Sequence, residues 1–453
     1  MTPKRDQPVA GPFSILRGVA IRSLFIPVAL FLSAACAPHG HLRSNADQLS
    51  EADRLFRSAE FAEARNCYLA ALHEDAGNVE GYLRLGEIAL LHNQVPEAER
   101  WLLRASAMVG AGTRVNDLLA EVYYRLRAFE HSARHLRIAG LDVTARKLEH
   151  FAADAPYLVE GPKKTRIRFV STDPLPVVGV RVNDGAEVNF LIDTGAPEVI
   201  LDPELARDLG VTEFGSVSGR FAGDQRAEVI QAVVESIAIG EMRVRHIPVH
   251  LLSTRRFSGL FGGTRIDGIL GTRFLYQFIS TIDYPKGELT LRLASLSAPG
   301  DPEPDAGALS VPLLLAGDHY LLARGLVNGY PMLLFVDTGI AGLGFAAPTS
   351  TLDDARIAVQ PEQRIVAVGG GGALSATAFS VGTLALGDAV GRNVRGVAGV
   401  FPPSLEHKFG FRIGGMISHA FFRPYALTFD FSRMRLYLRP GERPKMLAAT
   451  DPH

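Results

Sequence analysis

The sequence predicts a multidomain chain in which an all-α repeat segment precedes two matched all-β halves. Three observations lead there. From about Leu49 to His150 the chain is rich in Ala, Leu, Glu and Arg and poor in Pro and Gly, with apolar residues at helical spacing. After Pro156, short β-branched runs alternate with Gly, Asp-Gly and Pro turns, the pattern of an all-β region. Asp-Thr-Gly then occurs twice, in "FLIDTGAPEVIL" (Phe190 to Leu201) and in "LLFVDTGIAGLGF" (Leu333 to Phe345). Each copy follows an apolar run. A carboxylate at the end of a buried strand is costly unless its charge is held or used, so two such sites in one chain point to sites that meet.

The 453 residues allow two to four domains. With 47 basic against 48 acidic side chains, no charge footprint for nucleic acid exists, and none is expected as a partner. Cys36 and Cys67 alone cannot make a disulfide framework. The N-terminus has the pattern of an export signal. Lys4, Arg5, Arg17 and Arg22 precede the apolar run "SLFIPVALFLSAA" (Ser23 to Ala35), which is short for a bilayer span. Ending at "LSAAC" (Leu32 to Cys36), it resembles a bacterial lipoprotein signal, which implies lipidation of Cys36. Ser33 departs from that pattern, since leucine is usual there and Leu32 stands one place early. An uncleaved anchor and an ordinary secretory signal are the alternatives. The expected location is the periplasmic side of a bacterial membrane, lipid-anchored. Ala37 after the cysteine favours the outer membrane. Acylation of Cys36 would leave Cys67 without a bridging partner.

An offset of 34 residues aligns the helical segment with itself. Ala64, Ala98 and Ser132 share one column, Tyr68, Leu102 and Leu136 another, and Ala71, Ala105 and Ala139 a third. The segment resembles tetratricopeptide repeats, whose small residues let paired helices approach while larger ones fill the groove. Three repeats, over residues 44–152, are about the minimum for a self-supporting stack. Either a groove for a protein partner or a spacer would suit that segment.

The two β halves repeat one another. "GVRVNDGAEVNFLIDTG" and "ARGLVNGYPMLLFVDTG" each read as strand, tight turn and strand, with turns at Asn183-Asp184-Gly185 and Asn328-Gly329. Further on, Gly268-Ile269-Leu270-Gly271 matches Gly415-Met416-Ile417-Ser418, each followed by an aromatic helical turn and a closing hairpin. Each half therefore resembles a retropepsin-type aspartic protease domain, the first over residues 160–295 and the second over 309–440. Between them, 296–308 is a Pro- and Gly-rich linker, and 441–453 is a C-terminal tail.

The resemblance implies one active site at a pseudo-twofold axis, with Asp193 and Asp337 as its catalytic dyad. Two carboxylates at hydrogen-bond distance cannot both ionise, so they share a proton and titrate as a pair. The ionised member takes a proton from a water while the protonated one donates to the scissile carbonyl. No cofactor, metal or covalent nucleophile is needed. The resemblance further implies that Gly195 and Gly339 let the backbone pass close, and that Thr194 and Thr338 fasten the halves together. Flap candidates are "SVSGRFAGDQ" (Ser216 to Gln225), with Ser218, Gly219 and Arg220, and "VAVGGGGALS" (Val366 to Ser375), with Gly370 and Gly371. The second half departs from the pattern at Ser418, where glycine is usual, and at Ile340, where Ala or Ser is usual.

Asp283 and Asp430 sit at hairpin ends, where turn capping is the expected role. His131 and His135 have metal-ligand spacing, but no third ligand is evident in the sequence. Two functions follow. One is an aspartic endopeptidase acting on peptide or protein substrates, with the repeats recruiting substrate or partner. The other is a catalytically weak or inactive protease-like module that binds peptides during assembly.

Overall fold

The computed structural model of the chain describes residues 45–110, 112–151, 155–293, 307–317 and 320–441. The export signal, Cys36, most of the linker and nearly all of the C-terminal tail lie outside the described residues. Among the described residues, no helix is long and apolar enough to cross a membrane.

Among the described residues, seven helices come first: α1 (Asn45–Arg57), α2 (Phe61–Glu74), α3 (Val79–Leu91), α4 (Val95–Ser106), α5 (Arg114–Arg125), α6 (Phe129–Ile138) and α7 (Asp142–Glu149). Each packs against the next. Small residues sit where the helices approach: Ala64, Ala98 and Ser132 are all buried. A Cβ on Gly86 would lie 2.5 Å from Leu102 Cγ, so only glycine lets α3 meet α4 there. The turns within the pairs are built alike. Ala59, Asn93 and Arg127 each adopt a left-handed backbone, and the next amide closes on the preceding helix by Glu60 N–H to Leu55 O, Gln94 N–H to Ala89 O and Ala128 N–H to Tyr123 O, each 2.8 Å. Cys67 is buried between these helices and is not a free thiol.

The first β half closes on itself. Strands Val177–Val182, Glu187–Ile192, Gly268–Leu270, Val199–Leu201, Met242–Leu251 and Arg226–Ile239 pair in that order, and the last returns to the first. The second half repeats this ring of pairings with Tyr320–Val327, Tyr330–Val336, Gly415–Ile417, Phe345–Ala347, Ala389–Ala398 and Gly372–Leu386. In each ring the strand that carries Asp-Thr-Gly runs parallel to the one carrying the second motif: Ile192 pairs with Leu270, and Val336 with Ile417. A six-stranded sheet joins the halves. Its central strands, Phe278–Asp283 and Tyr425–Asp430, pair antiparallel, and the Thr281 and Thr428 hydroxyls meet across them at 2.8 Å.

The apolar core does not stop at the helices. One buried cluster runs from Tyr124, Phe129 and Leu148 through Phe190 and Phe274 into Phe345 and Phe429. A second joins Phe56 and Phe61 of the helices to Phe411 and Met416 of the second ring. Phe56, Phe61 and Phe411 meet edge to face, with ring centroids 5.0 to 5.8 Å apart. Arg125, nearly buried on α5, donates to Gly317 O at 2.8 Å. A buried Phe contributes about 1.5–3 kcal/mol, so these rings fasten α1 and α2 to the second ring.

Candidate active site

The two Asp-Thr-Gly loops, one at the end of a strand in each ring, cross. Each strand is apolar because both its faces are covered, and each loop starts where the next amide, Asp193 N–H or Asp337 N–H, donates to Leu270 O or Ile417 O. Thr194 then reaches into the other loop. Its hydroxyl donates to Val336 O at 2.8 Å and accepts from Thr338 N–H at 3.0 Å. Thr338 does the same in return, accepting from Thr194 N–H at 3.0 Å and donating to Ile192 O at 3.3 Å. Both threonines are fully buried. Four hydrogen bonds thus fix the two loops in one geometry.

That geometry brings the carboxylates together. A Cβ on Gly195 would fall 2.7 Å from Asp337 Oδ1, and one on Gly339 would collide with the Asp193 carboxylate. Glycine is therefore required at both places by close approach rather than by backbone angle. Gly195 N–H and Gly339 N–H each donate to their own loop's aspartate at 2.7 Å. The Asp337 carboxyl is held well above the usual carboxylate range, first by burial, then by the charge of Asp193 and a hydrogen bond with it. Gly339 N–H works against that rise.

Ser418 has a physical explanation. At the matched position, Gly271, a Cβ would run into Glu198 O and Ala196 O. Ser418 has room, and its hydroxyl accepts from Ile340 N–H at 3.1 Å. The polar side chain thus holds the second loop, and the substitution leaves it supported.

Two hairpins meet above the loops. Ser218, Gly219 and Arg220 lie at the end of strand Thr212–Arg220, just before a tip formed by Phe221 to Gln225. Gly370 and Gly371 are the tip between Val359–Gly369 and Gly372–Leu386. Gly370 lies against the Phe221 ring, where a Cβ would clash, and a Cβ on Gly371 would lie 2.5 Å from Gln225 Cβ. Gln225 Nε2 donates to Ala373 O at 2.7 Å, and Gly223 N–H to Val400 O at 2.8 Å. Asp224 accepts from Ser404 N–H at 3.2 Å and from the Ser404 hydroxyl. Phe221 also packs on the apolar cluster that includes Ala196 and Leu252. The first tip is thereby tied to the second half. Phe221, Asp224 and Gln225 were not singled out by sequence; the aromatic within a Gly-rich turn was the available signal.

Two further groups escaped sequence reading. Glu198, five residues past Asp193, is buried with Lys147, Arg273 and His250 around it. Tyr284, buried under the halves, has its phenol pushed up by burial and by the charges of Asp193 and Asp337. Asp283 and Asp430, by contrast, cap turns as expected, accepting from Lys286 N–H and from Ser432 and Arg433 N–H at 3.0 to 3.1 Å. His131 and His135 flank the Tyr123 ring on the helices, far in sequence from the loops, and His135 Nδ1 meets Asn116 Oδ1 at 2.8 Å.

Residues 178–274, which carry the first loop and its paired motif, match the model of a family described as aspartyl protease. The first ring is similar to that family. Among solved structures, a retropepsin-like aspartic protease from Rickettsia conorii matches at 22% identity, covering 30% of this chain and 94% of that one, with a TM-score of 0.22. A comparison with curated proteins gives no match.

Proposed function

We propose that the chain is an aspartic endopeptidase whose dyad is Asp193 and Asp337, one from each half about a pseudo-twofold axis. The observation that carries this reading is the crossed pair of Asp-Thr-Gly loops, with each aspartate lying against the other loop's glycine. In the mechanism, the ionised member of the pair removes a proton from a water held between the carboxylates. The water oxygen attacks the scissile carbonyl carbon as the protonated member donates to the carbonyl oxygen; the tetrahedral species then breaks its C–N bond, the newly protonated carboxyl giving its proton to the leaving amine while the other carboxylate takes one back from a hydroxyl. Thr194, Gly195, Thr338 and Gly339 hold the carboxylates for this exchange. The meeting hairpins would close over an extended peptide and exclude bulk water.

The halves would be the domains 160–295 and 309–440, and the helices a tetratricopeptide-like segment over 44–152. In this reading the mature chain is anchored by an acylated Cys36 on the periplasmic side of a membrane. A thioether at Cys36 and a bridge to Cys67 exclude each other, so the mass of the mature N-terminal peptide decides that point. Release of Cys36→Ala into the soluble fraction would support the anchor, and an unmodified Cys36 would remove it.

The reading of a peptide-binding module without cleavage draws on the hairpin tips, which already touch each other. Purified chain incubated with a peptide library, beside Asp193→Asn, separates the two. Cleavage lost in the variant, by about 10²–10⁴-fold or more, supports the peptidase. Binding without cleavage in both would replace it.

A further inference from the structure

We propose that the helical segment positions the first active-site loop through Lys147, so that the helices are a working part of the catalytic unit. This rests on the aspartic-protease reading. The link is a buried ionic cluster around Glu198. The loop runs Asp193, Thr194, Gly195, Ala196, Pro197, Glu198, and its backbone is held by the short helix Thr272–Leu275. Thr272 N–H donates to Ala196 O at 3.0 Å and Arg273 N–H to Pro197 O at 2.9 Å, while the Thr272 hydroxyl donates to Thr194 O at 2.9 Å. The Glu198 side chain leaves this loop in the opposite direction, into the layer between barrel and helices.

There it meets four groups. Lys147 Nζ on α7 lies 2.6 Å from Oε2, and Arg273 Nη1 lies 2.7 Å from Oε1. His250 Nε2 is 3.3 Å from Oε2, and the Tyr124 hydroxyl on α5 is 3.4 Å from Oε1. Arg273 itself stacks on the Tyr124 ring and pairs with Glu121 of α5 at 2.9 Å. Lys147 and Glu198 are both essentially inaccessible to water. A carboxylate so placed is tolerable only while its cations stay, and one of those cations, with two further partners on α5, belongs to the helices.

The second loop has no such tether. The residue that matches Glu198 there is Gly344, which precedes Phe345–Ala347 as Glu198 precedes Val199–Leu201; it has no side chain to carry such a charge, and a Cβ on it would lie 2.4 Å from Val394 Cγ1. The support is therefore one-sided. It acts on the loop that carries Asp193, and it depends on α5 and α7 keeping their seat.

The test uses the full chain with Lys147→Met, Glu198→Gln and the double variant. Hydrogen exchange over residues 193–201 is read beside exchange over the six-stranded sheet. In parallel, kcat and KM are measured on a peptide whose cleavage is abolished by Asp193→Asn. The expected result for Lys147→Met is loop exchange faster by about tenfold or more, with sheet exchange unchanged, and kcat lower by at least about tenfold with KM within about threefold. The double variant, which removes both buried charges, is expected to recover kcat to within about threefold of wild type. Glu198→Gln, nearly isosteric, serves if Lys147→Met does not fold, and is expected to speed loop exchange in the same way. Unchanged loop exchange, uniform acceleration across both halves, or unchanged kcat would overturn the proposal. If no Asp193-dependent cleavage exists, the protease reading fails by itself, and the exchange data still decide whether the helices hold this loop.

Discussion

Ala196 and Ile340 stand directly after the two Asp-Thr-Gly triplets, and neither side chain offers a hydrogen bond to a carboxylate. A donor there would favour the charged form and lower the pair's pKa values. Here burial and the charge of Asp193 hold the Asp337 proton instead, so the singly protonated pair persists to higher pH. A pH–rate profile should peak above about pH 4, and Ala196→Ser should move it to the acid side by about one to two units. An optimum below that, or no shift, would defeat the argument. The threonines give a second expectation. Thr194→Ala deletes the donor to Val336 O and the acceptor of Thr338 N–H in a fully buried site. Denaturant titration should show about 2–4 kcal/mol lost; a loss under about 0.5 kcal/mol would mean that the loops hold without their cross-links.

Among the elements, the two hairpins would carry the motion that a substrate requires in the proposed peptidase. Their tips are held by few polar ties, chiefly Asp224 to Ser404 and Gln225 to Ala373, and by the Phe221 ring on Gly370. A run of four glycines at the second tip makes that hairpin the easier one to move. Removing one tie worth about 1.4 kcal/mol raises the open population about tenfold. Asp224→Ala, which cuts the first tip from Ser404, should therefore speed amide exchange at residues 221–225 by about that factor while the six-stranded sheet stays protected. Equal exchange in variant and wild type would show that the tips are held by packing alone, and Phe221→Ala would then be the variant that opens them.

For the whole molecule, the decisive feature is that helices and barrels share their core. A fragment of residues 155–441 would expose the faces of Phe411, Met416 and Phe274's cluster now covered by α1, α2 and α5. We expect it to aggregate or to bind a hydrophobic dye, and a monodisperse fragment with native stability would contradict the continuous core. Acid should work on the same interface. Burial pushes the Glu198 carboxyl up, but Lys147, His250 and Arg273 outweigh it and leave the group below the usual carboxylate range. A depressed carboxylate stabilises the fold above its unfolded value of about 4.3 and loses that contribution as pH falls further. Melting temperature should thus fall more steeply below about pH 4 in wild type than in Glu198→Gln. Parallel curves would assign acid sensitivity to other carboxylates.

The sequence by itself determined the local grammar. Period-34 columns of small and large residues, apolar strands before Asp-Thr-Gly and Asn-Gly turns are short-range signals, because helix and hairpin geometry repeats over a few residues. From them came the helical segment, the two matched β regions and the paired aspartates as a hypothesis. Tertiary structure alone decided what those elements touch. Ser418 is a bare departure from the pattern in sequence, and only the fold shows its hydroxyl accepting from Ile340 N–H. Lys147 and Glu198, 51 residues apart, carry no motif, and each alone reads as a surface charge. Glu198 is buried only because α7 sits over it. Burial and charge compensation are properties of pairs brought together by the fold, and no window of sequence contains them.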